Sequence, residues 1–328
     1  MKVYRDKDAD IPILREKSLA VVGYGNQGSA FAKNLRDSGL NVSVALPESS
    51  RTIPTAISDG FPVISNDDVH RADIILMMLP DHLHGEFCSA HLDRRLNKGQ
   101  CLVFAHGYSI HFGLVSPPNG ILCSLVAPHG PGRDLRTKYV NGEGISCFVA
   151  AHPEKSTSSL KIAVAIAHAI GCTRIGAFKT TFAHETLGDL FGEQALLCGG
   201  LTHLTMAVFD TLVKNGIPAE NAFLETAHQL EMLAGLIRKH GISGMLDRIS
   251  RTAQFGTVIA ESLFANKKLK TDLQKLFDDV ASGRFTDRWS AEHRAGYPKI
   301  REFKRRVNSS RFEKTSRKMR KILPDESK

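Results

Sequence analysis

The chain has 328 residues, 42% hydrophobic and 23% charged, with a formal net charge of +9; this is the composition of an ordinary globular protein, and the length accommodates two cored domains. No uninterrupted apolar run reaches about 18 residues, and the start Met1-Lys2-Val3-Tyr4-Arg5-Asp6-Lys7-Asp8 lacks the apolar core of a signal peptide, so neither a membrane partner nor export is expected. Cys88, Cys101, Cys123, Cys147, Cys172 and Cys198 show no C-x-x-C pairing and are expected to be reduced, mostly buried thiols of a cytoplasmic protein.

The first element is a buried-strand pattern, Leu19-Ala20-Val21-Val22, followed by Gly23-Tyr24-Gly25-Asn26-Gln27-Gly28 and a helix through Arg36. A G-x-G-x-x-G turn between strand and helix permits close backbone approach and points a helix N-terminus at a pyrophosphate, so a dinucleotide site is predicted there. The next strand, Asn41–Leu46, leads into Pro47-Glu48-Ser49-Ser50-Arg51-Thr52. Hydroxyls of Ser50 and Thr52 beside the Arg51 guanidinium suit a 2′-phosphate, which favours NADPH, whereas an inward Glu48 would favour NADH. Further strands are expected at 72–79, closed by Pro80-Asp81, at 101–105 before His106-Gly107-Tyr108, and at 121–127 before Pro128-His129-Gly130-Pro131-Gly132-Arg133. A strand over 144–151, a helix over 157–170 and a short strand over 173–177 complete a mainly parallel, doubly wound α/β sheet of Rossmann type. Ligands of such sheets bind off the carboxyl ends of the strands. The glycine turn, Leu79-Pro80-Asp81, His106, His129 and Gly132 all fall there.

From about Thr181 onward the strand patterns stop. Helical periodicity at about 184–215, 219–240, 245–263, 267–282 and 285–295 predicts an all-α second domain, so the expected domains are residues 1–181 and 182–328. Asp189 and Glu193, four residues apart, share a helix face, and paired carboxylates with oxygen ligands suit a divalent cation such as Mg²⁺. The apolar run Ala195–Leu201 beside them predicts a buried helix and argues against a solvated acidic face. Glu225 and Gln229 form a second pair at the same spacing. Residues 301–328 hold eleven Lys/Arg against four Asp/Glu. With no aromatic platform this reads as a solvated terminal helix and frayed tail, not a nucleic-acid arm.

Together these motifs resemble the class I, short-form ketol-acid reductoisomerases over nearly the whole chain: Tyr4–Asp10, Gly23–Gly28, Ala105–Gly113, Val126–Gly132, Asp189–Gln194 and Leu197–Leu201. The resemblance implies a Rossmann domain, a knotted helical domain, NADPH, two Mg²⁺ ions, and a homodimer whose active site is shared. It also implies a reaction that moves an alkyl group within 2-acetolactate and then reduces the rearranged ketone. Position by position, Asp189 and Glu193 fall on metal ligands, Glu225 on a further acidic residue, Ser250 on the substrate-binding serine and His106 on the histidine after the fourth strand. Two positions depart: His129 stands where the family has Lys, and Gln229 where it has Glu. The family's Ser-Asp-Thr-Ala-Glu-Tyr segment reads Ser250-Arg251-Thr252-Ala253-Gln254-Phe255.

These departures bear on the chemistry. Glu to Gln keeps shape but removes a charge, which weakens the hold on a second ion, so one or two Mg²⁺ ions are expected. Lys to His replaces a permanent cation by a group titrating near pH ~6.5. With His129 neutral the local charge sum is unchanged, which suggests a retuned site. The expected function is therefore an NADPH-dependent oxidoreductase acting on a small 2-oxo acid or imine with little or no alkyl migration, with His106 or His129 supplying the proton. A working ketol-acid reductoisomerase is the second reading, and a non-catalytic NADPH-binding protein the third.

Overall fold

The computed structural model describes residues 1–323, and the chain divides into two compact units between Gly188 and Asp189. The strands of the first unit are β1 (Val3–Tyr4), β2 (Ser18–Val22), β3 (Asn41–Ala45), β4 (Val63–Ile64), β5 (Ile74–Met77), β6 (Cys101–Phe104), β7 (Leu122–Pro128), β8 (Cys147–His152) and β9 (Ala177–Lys179). They form one sheet in the order β1-β9-β8-β7-β6-β5-β2-β3-β4. Pairing is parallel from β4 to β7; β8 runs antiparallel to β7, and β1 antiparallel to β9.

Period-two alternation along the strands divides the core into two layers. Leu19 and Val21 pack with Phe31, Leu35, Ile162 and Ile166 of the Asn26–Asp37 and Thr157–Ala169 helices. Ala20 and Val22 face the other way, with Ile75, Met77, Phe87 and Phe182. Because both faces are covered, these strands are apolar without interruption. β2 has β3 on one side and β5 on the other, with Val22 opposite Met77. Strand order reverses at this point, and the chain leaving both strands opens a crevice.

The strand expected over 173–177 is instead a 3₁₀ turn, Cys172–Arg174, and β9 follows it. Thr173 and Ile175 carry β propensity, but Gly171 and Gly176 on either side have φ of +85° and +137°, which turn the chain there. β1 and β4 are two residues each and too short to show alternation in sequence.

The helix Phe182–Gly192 runs across the boundary and continues through a π turn, Glu193–Leu197, into Gly199–Lys214. Next come Ala219–Phe223, a second π turn Leu224–His228, and Leu230–Leu246, which is broken at Gly241. Arg251–Phe264, Lys267–Ala281, Arg284–Arg294, Pro298–Ser309 and Arg311–Met319 complete the described helices. The expected terminal helix is thus two helices, and the last part of the expected frayed tail, 324–328, lies outside the described residues.

The core of the second unit is small. Phe209, Ala222, Phe223 and Met319 are buried, with Phe312 edge-on to Phe209 at 5.2 Å. The expectation that Ala195–Leu201 is buried fails: Leu196 is 66% and Leu197 62% exposed. Among the described residues nothing covers this apolar face. By length and composition alone the continuous helix Phe182–Lys214 is apolar enough to cross a membrane, although no uninterrupted apolar run within it reaches about 18 residues.

Candidate active site

The glycine turn is shaped by contact. Gly23 has φ +94°, and a Cβ on Gly28 would lie 2.2 Å from the Gly23 carbonyl oxygen, so neither position accepts a side chain without movement. At Gly25 a Cβ would meet open space, leaving room for a ligand's phosphates against the backbone. Gly132 clamps the turn from the neighbouring loop, where a Cβ would fall 2.0 Å from the Asn26 carbonyl oxygen. Gln27 Nε2 donates to the Gly130 carbonyl at 3.0 Å, tying the two loops together. Tyr24 is buried, with its hydroxyl donating to Asp59 at 2.8 Å. Burial, then the Asp59 carboxylate, pushes its pKa well up, so the phenol stays protonated and only the backbone serves the turn. After β3, Ser50 Oγ and Thr52 Oγ1 lie 2.9 Å apart and Arg51 is exposed, a group of donors fit for an anion.

At the end of β5, Leu79-Pro80-Asp81 is fixed by His84, whose Nε2 bonds the Leu79 carbonyl at 3.0 Å and whose Nδ1 lies 2.7 Å from Ser109 Oγ. Burial lowers the His84 pKa to about 4, so the ring is neutral and Nε2–H is the donor. Asp81 has its pKa raised, first by burial and then by the Glu185 carboxylate, with His106 opposing.

His106 follows β6 and is held by a residue that sequence reasoning passed over. Glu185, 5% exposed, accepts from His106 Nδ1 at 2.9 Å and from the Gly107 backbone N–H at 2.6 Å. Gly107 is required for this approach, because a Cβ there would lie 2.5 Å from Thr186 Oγ1 and 2.6 Å from the Phe182 carbonyl oxygen. The available signal was spacing: Glu185, Asp189 and Glu193 recur every four residues. Asp189 and Glu193 are exposed, which corrects the inference that their helix shelters them.

His129 follows β7, its Nδ1 2.9 Å from Ser146 Oγ and its ring edge-on to Phe148 at 4.4 Å. Its outer side is open, yet the protein around it lowers its pKa, with Glu185 opposing. The imidazole is therefore neutral at pH ~7.

In the second unit, Glu193 opens one π turn and Glu225 lies in the other. Each π turn inserts an extra residue into the helix and re-aims the side chains around it, a device common at functional sites. Gly199 and Gly200 make the first one possible: a Cβ on either would lie 2.2 or 2.3 Å from the carbonyl oxygen five residues earlier. Gln229 Nε2 donates to Glu225 Oε2 at 2.9 Å. Ser250 caps the Arg251–Phe264 helix, its oxygen accepting from the Ala253 N–H at 3.2 Å. Arg251 donates to Gln254 at 3.2 Å, a bond made by two of the residues that depart from the family segment. No hydrogen bond or ion pair among the described residues joins Ser250 to Glu225 or Gln229.

The oxygen donors of Asp189 and Glu193 suit a hard divalent cation, and the open space at Gly25 suits a dinucleotide. Residues 13–176 match the acetohydroxy acid isomeroreductase, NADPH-binding domain family, and residues 182–325 match the ketol-acid reductoisomerase, C-terminal domain family. An NADH-preferring ketol-acid reductoisomerase from an uncultured archean is 32% identical, with a TM-score of 0.93 over 99% of this chain and 100% of that one. More distant likenesses, to a semialdehyde dehydrogenase NAD-binding protein from Cupriavidus necator (19% identity, TM-score 0.62, 82% and 98% of the two chains) and a 1-pyrroline-5-carboxylate reductase from Streptococcus pyogenes (15%, 0.54, 81% and 98%), show the fold alone. With both halves matched and a full-length structural relative, the chain belongs to the ketol-acid reductoisomerase family and is an NAD(P)H-dependent oxidoreductase.

Proposed function

We propose that this protein is an NADPH-dependent reductase of a small 2-oxo acid or imine in which alkyl migration is weak or lost. The observation that carries this reading is the Gln229 amide bonded to Glu225 at 2.9 Å. An amide N–H placed on that carboxylate occupies an oxygen a second cation would need, and it adds no charge to attract one. Migration depends most on two ions, since an alkoxide must form while the neighbouring carbonyl is polarised. Reduction is less demanding.

NADPH on the glycine turn would supply a hydride, and one Mg²⁺ held by Asp189 and Glu193 would polarise the acceptor oxygen. Gly23 to Gly28, Leu79 to Asp81, His106 and Gly132 border the dinucleotide, and Ser50, Arg51 and Thr52 receive its 2′-phosphate. His106, held at Nδ1 by Glu185, supplies the proton, and the neutral His129 donates a hydrogen bond to the same substrate oxygen. Ser250 uses its lone pair as a helix cap and keeps its O–H for a substrate carboxylate. Glu225 and Gln229 close the same site from a second subunit of a cytoplasmic homodimer. Support for the dimer is the exposed apolar face of Phe255, Val258, Ile259 and Leu263, which are 62–66% exposed.

A working Mg²⁺-dependent ketol-acid reductoisomerase is the second reading, supported by the full-length likeness to such an enzyme. NADPH oxidation with Mg²⁺ decides between them. Turnover of 3-hydroxy-3-methyl-2-oxobutanoate but not 2-acetolactate supports the first, and comparable turnover of both supports the second. Gln229→Glu with His129→Lys should then raise acetolactate turnover in the retuned enzyme.

A further inference from the structure

His129 is gripped by one short stretch of chain. Its backbone N–H donates to the Ser146 carbonyl at 2.9 Å, its Nδ1 lies 2.9 Å from Ser146 Oγ, and its ring meets Phe148 edge-on, with centroids 4.4 Å apart and planes at 88°. Ser146 is the residue just before β8 and Phe148 the second residue within it, so one short stretch holds the ring at its nitrogen and on its flank. A ring bonded at Nδ1 and pinned on its flank presents Nε2 outward. Ser146 Oγ makes no other hydrogen bond among the described residues, so its proton has Nδ1 as its protein acceptor. The lowered pKa of the ring agrees with a neutral imidazole that can accept it.

We propose that Ser146 is a positioning residue: its hydroxyl donates to His129 Nδ1 and holds the imidazole as the Nε2–H tautomer, a neutral donor directed at the substrate oxygen. This rests on the reductase reading for its consequence, though not for its geometry. The arrangement explains how a histidine can work where a lysine cation is replaced. A lysine ammonium donates in any rotamer, whereas an imidazole donates from one nitrogen only, and a neighbour must choose which.

The test is ¹⁵N NMR of the histidine side chains in the full-length protein, with His129→Asn assigning the signal. Wild type should show Nε2 protonated and Nδ1 bare. Ser146→Ala should populate both tautomers and lower kcat for NADPH oxidation at least about tenfold without raising the KM for NADPH, and Ser146→Thr should restore both. An Nδ1–H tautomer in wild type, or unchanged tautomer populations in Ser146→Ala, would overturn the assignment. Should the tautomer respond as expected while no variant reduces any 2-oxo acid or imine, the reductase reading fails and the role of Ser146 in fixing the ring stands.

Discussion

His84 and Glu185 are both buried and polar, and each sets a neighbour's orientation. Burial holds the His84 pKa at about 4 in the folded chain, below the ordinary histidine value of ~6.5. Between those values the unfolded chain binds a proton that the folded chain lacks, so stability is full above about pH 6.5 and falls as pH drops toward 4, by up to about 3 kcal/mol. His84→Asn should flatten that difference, checked by the thermal midpoint followed across pH 7 to 4. An unchanged pH dependence relative to wild type would show that His84 is not its source. Glu185→Gln replaces an acceptor of two N–H groups by an amide that must turn its own N–H₂ toward one of them. Turnover should fall by about 10²-fold or more while the fold survives; steady-state NADPH oxidation alongside circular dichroism checks it.

At the scale of elements, the π turns at Glu193–Leu197 and Leu224–His228 coincide with the acidic positions singled out in sequence. Plain α-helical spacing located the residues but not the extra one in each turn. The glycine pair was the visible trace, since Gly199 and Gly200 sit where a Cβ would strike the carbonyl oxygens of Gln194 and Ala195. Gly199→Ala should therefore straighten the π turn or strain it, at a cost of about 1–3 kcal/mol, and should weaken Mg²⁺ binding measured by calorimetry. Unchanged metal affinity would mean that the π turn does not aim Glu193. The Gly28→Ala change, with a Cβ 2.2 Å from the Gly23 carbonyl oxygen, should abolish NADPH binding in a fluorescence titration with little change in the helical domain.

For the whole molecule, the second unit has a small buried core and a long apolar surface, from Leu196 to Val208 and again from Phe255 to Phe264. Covering one such side chain contributes about 1.5–3 kcal/mol, so a second copy laid over this face would hold firmly. Analytical ultracentrifugation should find a dimer at micromolar concentration, and Ile259→Asp should shift it toward monomer with loss of activity. A monodisperse, active monomer would remove the shared-site reading.

What the sequence determined by itself is whatever rests on local stereochemistry and spacing. The Rossmann class followed from apolar strands alternating with helices, and the dinucleotide turn from three glycines at G-x-G-x-x-G spacing between a strand and a helix. The family followed from ordered motifs, and the acidic positions from i, i+4 recurrence. The tertiary structure decided what depends on residues far apart in the chain. Glu185 reaches His106 across 79 positions and Ser146 reaches His129 across 17, and no periodicity encodes either distance. It also decided burial. A helix apolar enough for a core lies open along the described chain, because hydrophobicity states that a surface must be covered and only packing states by what.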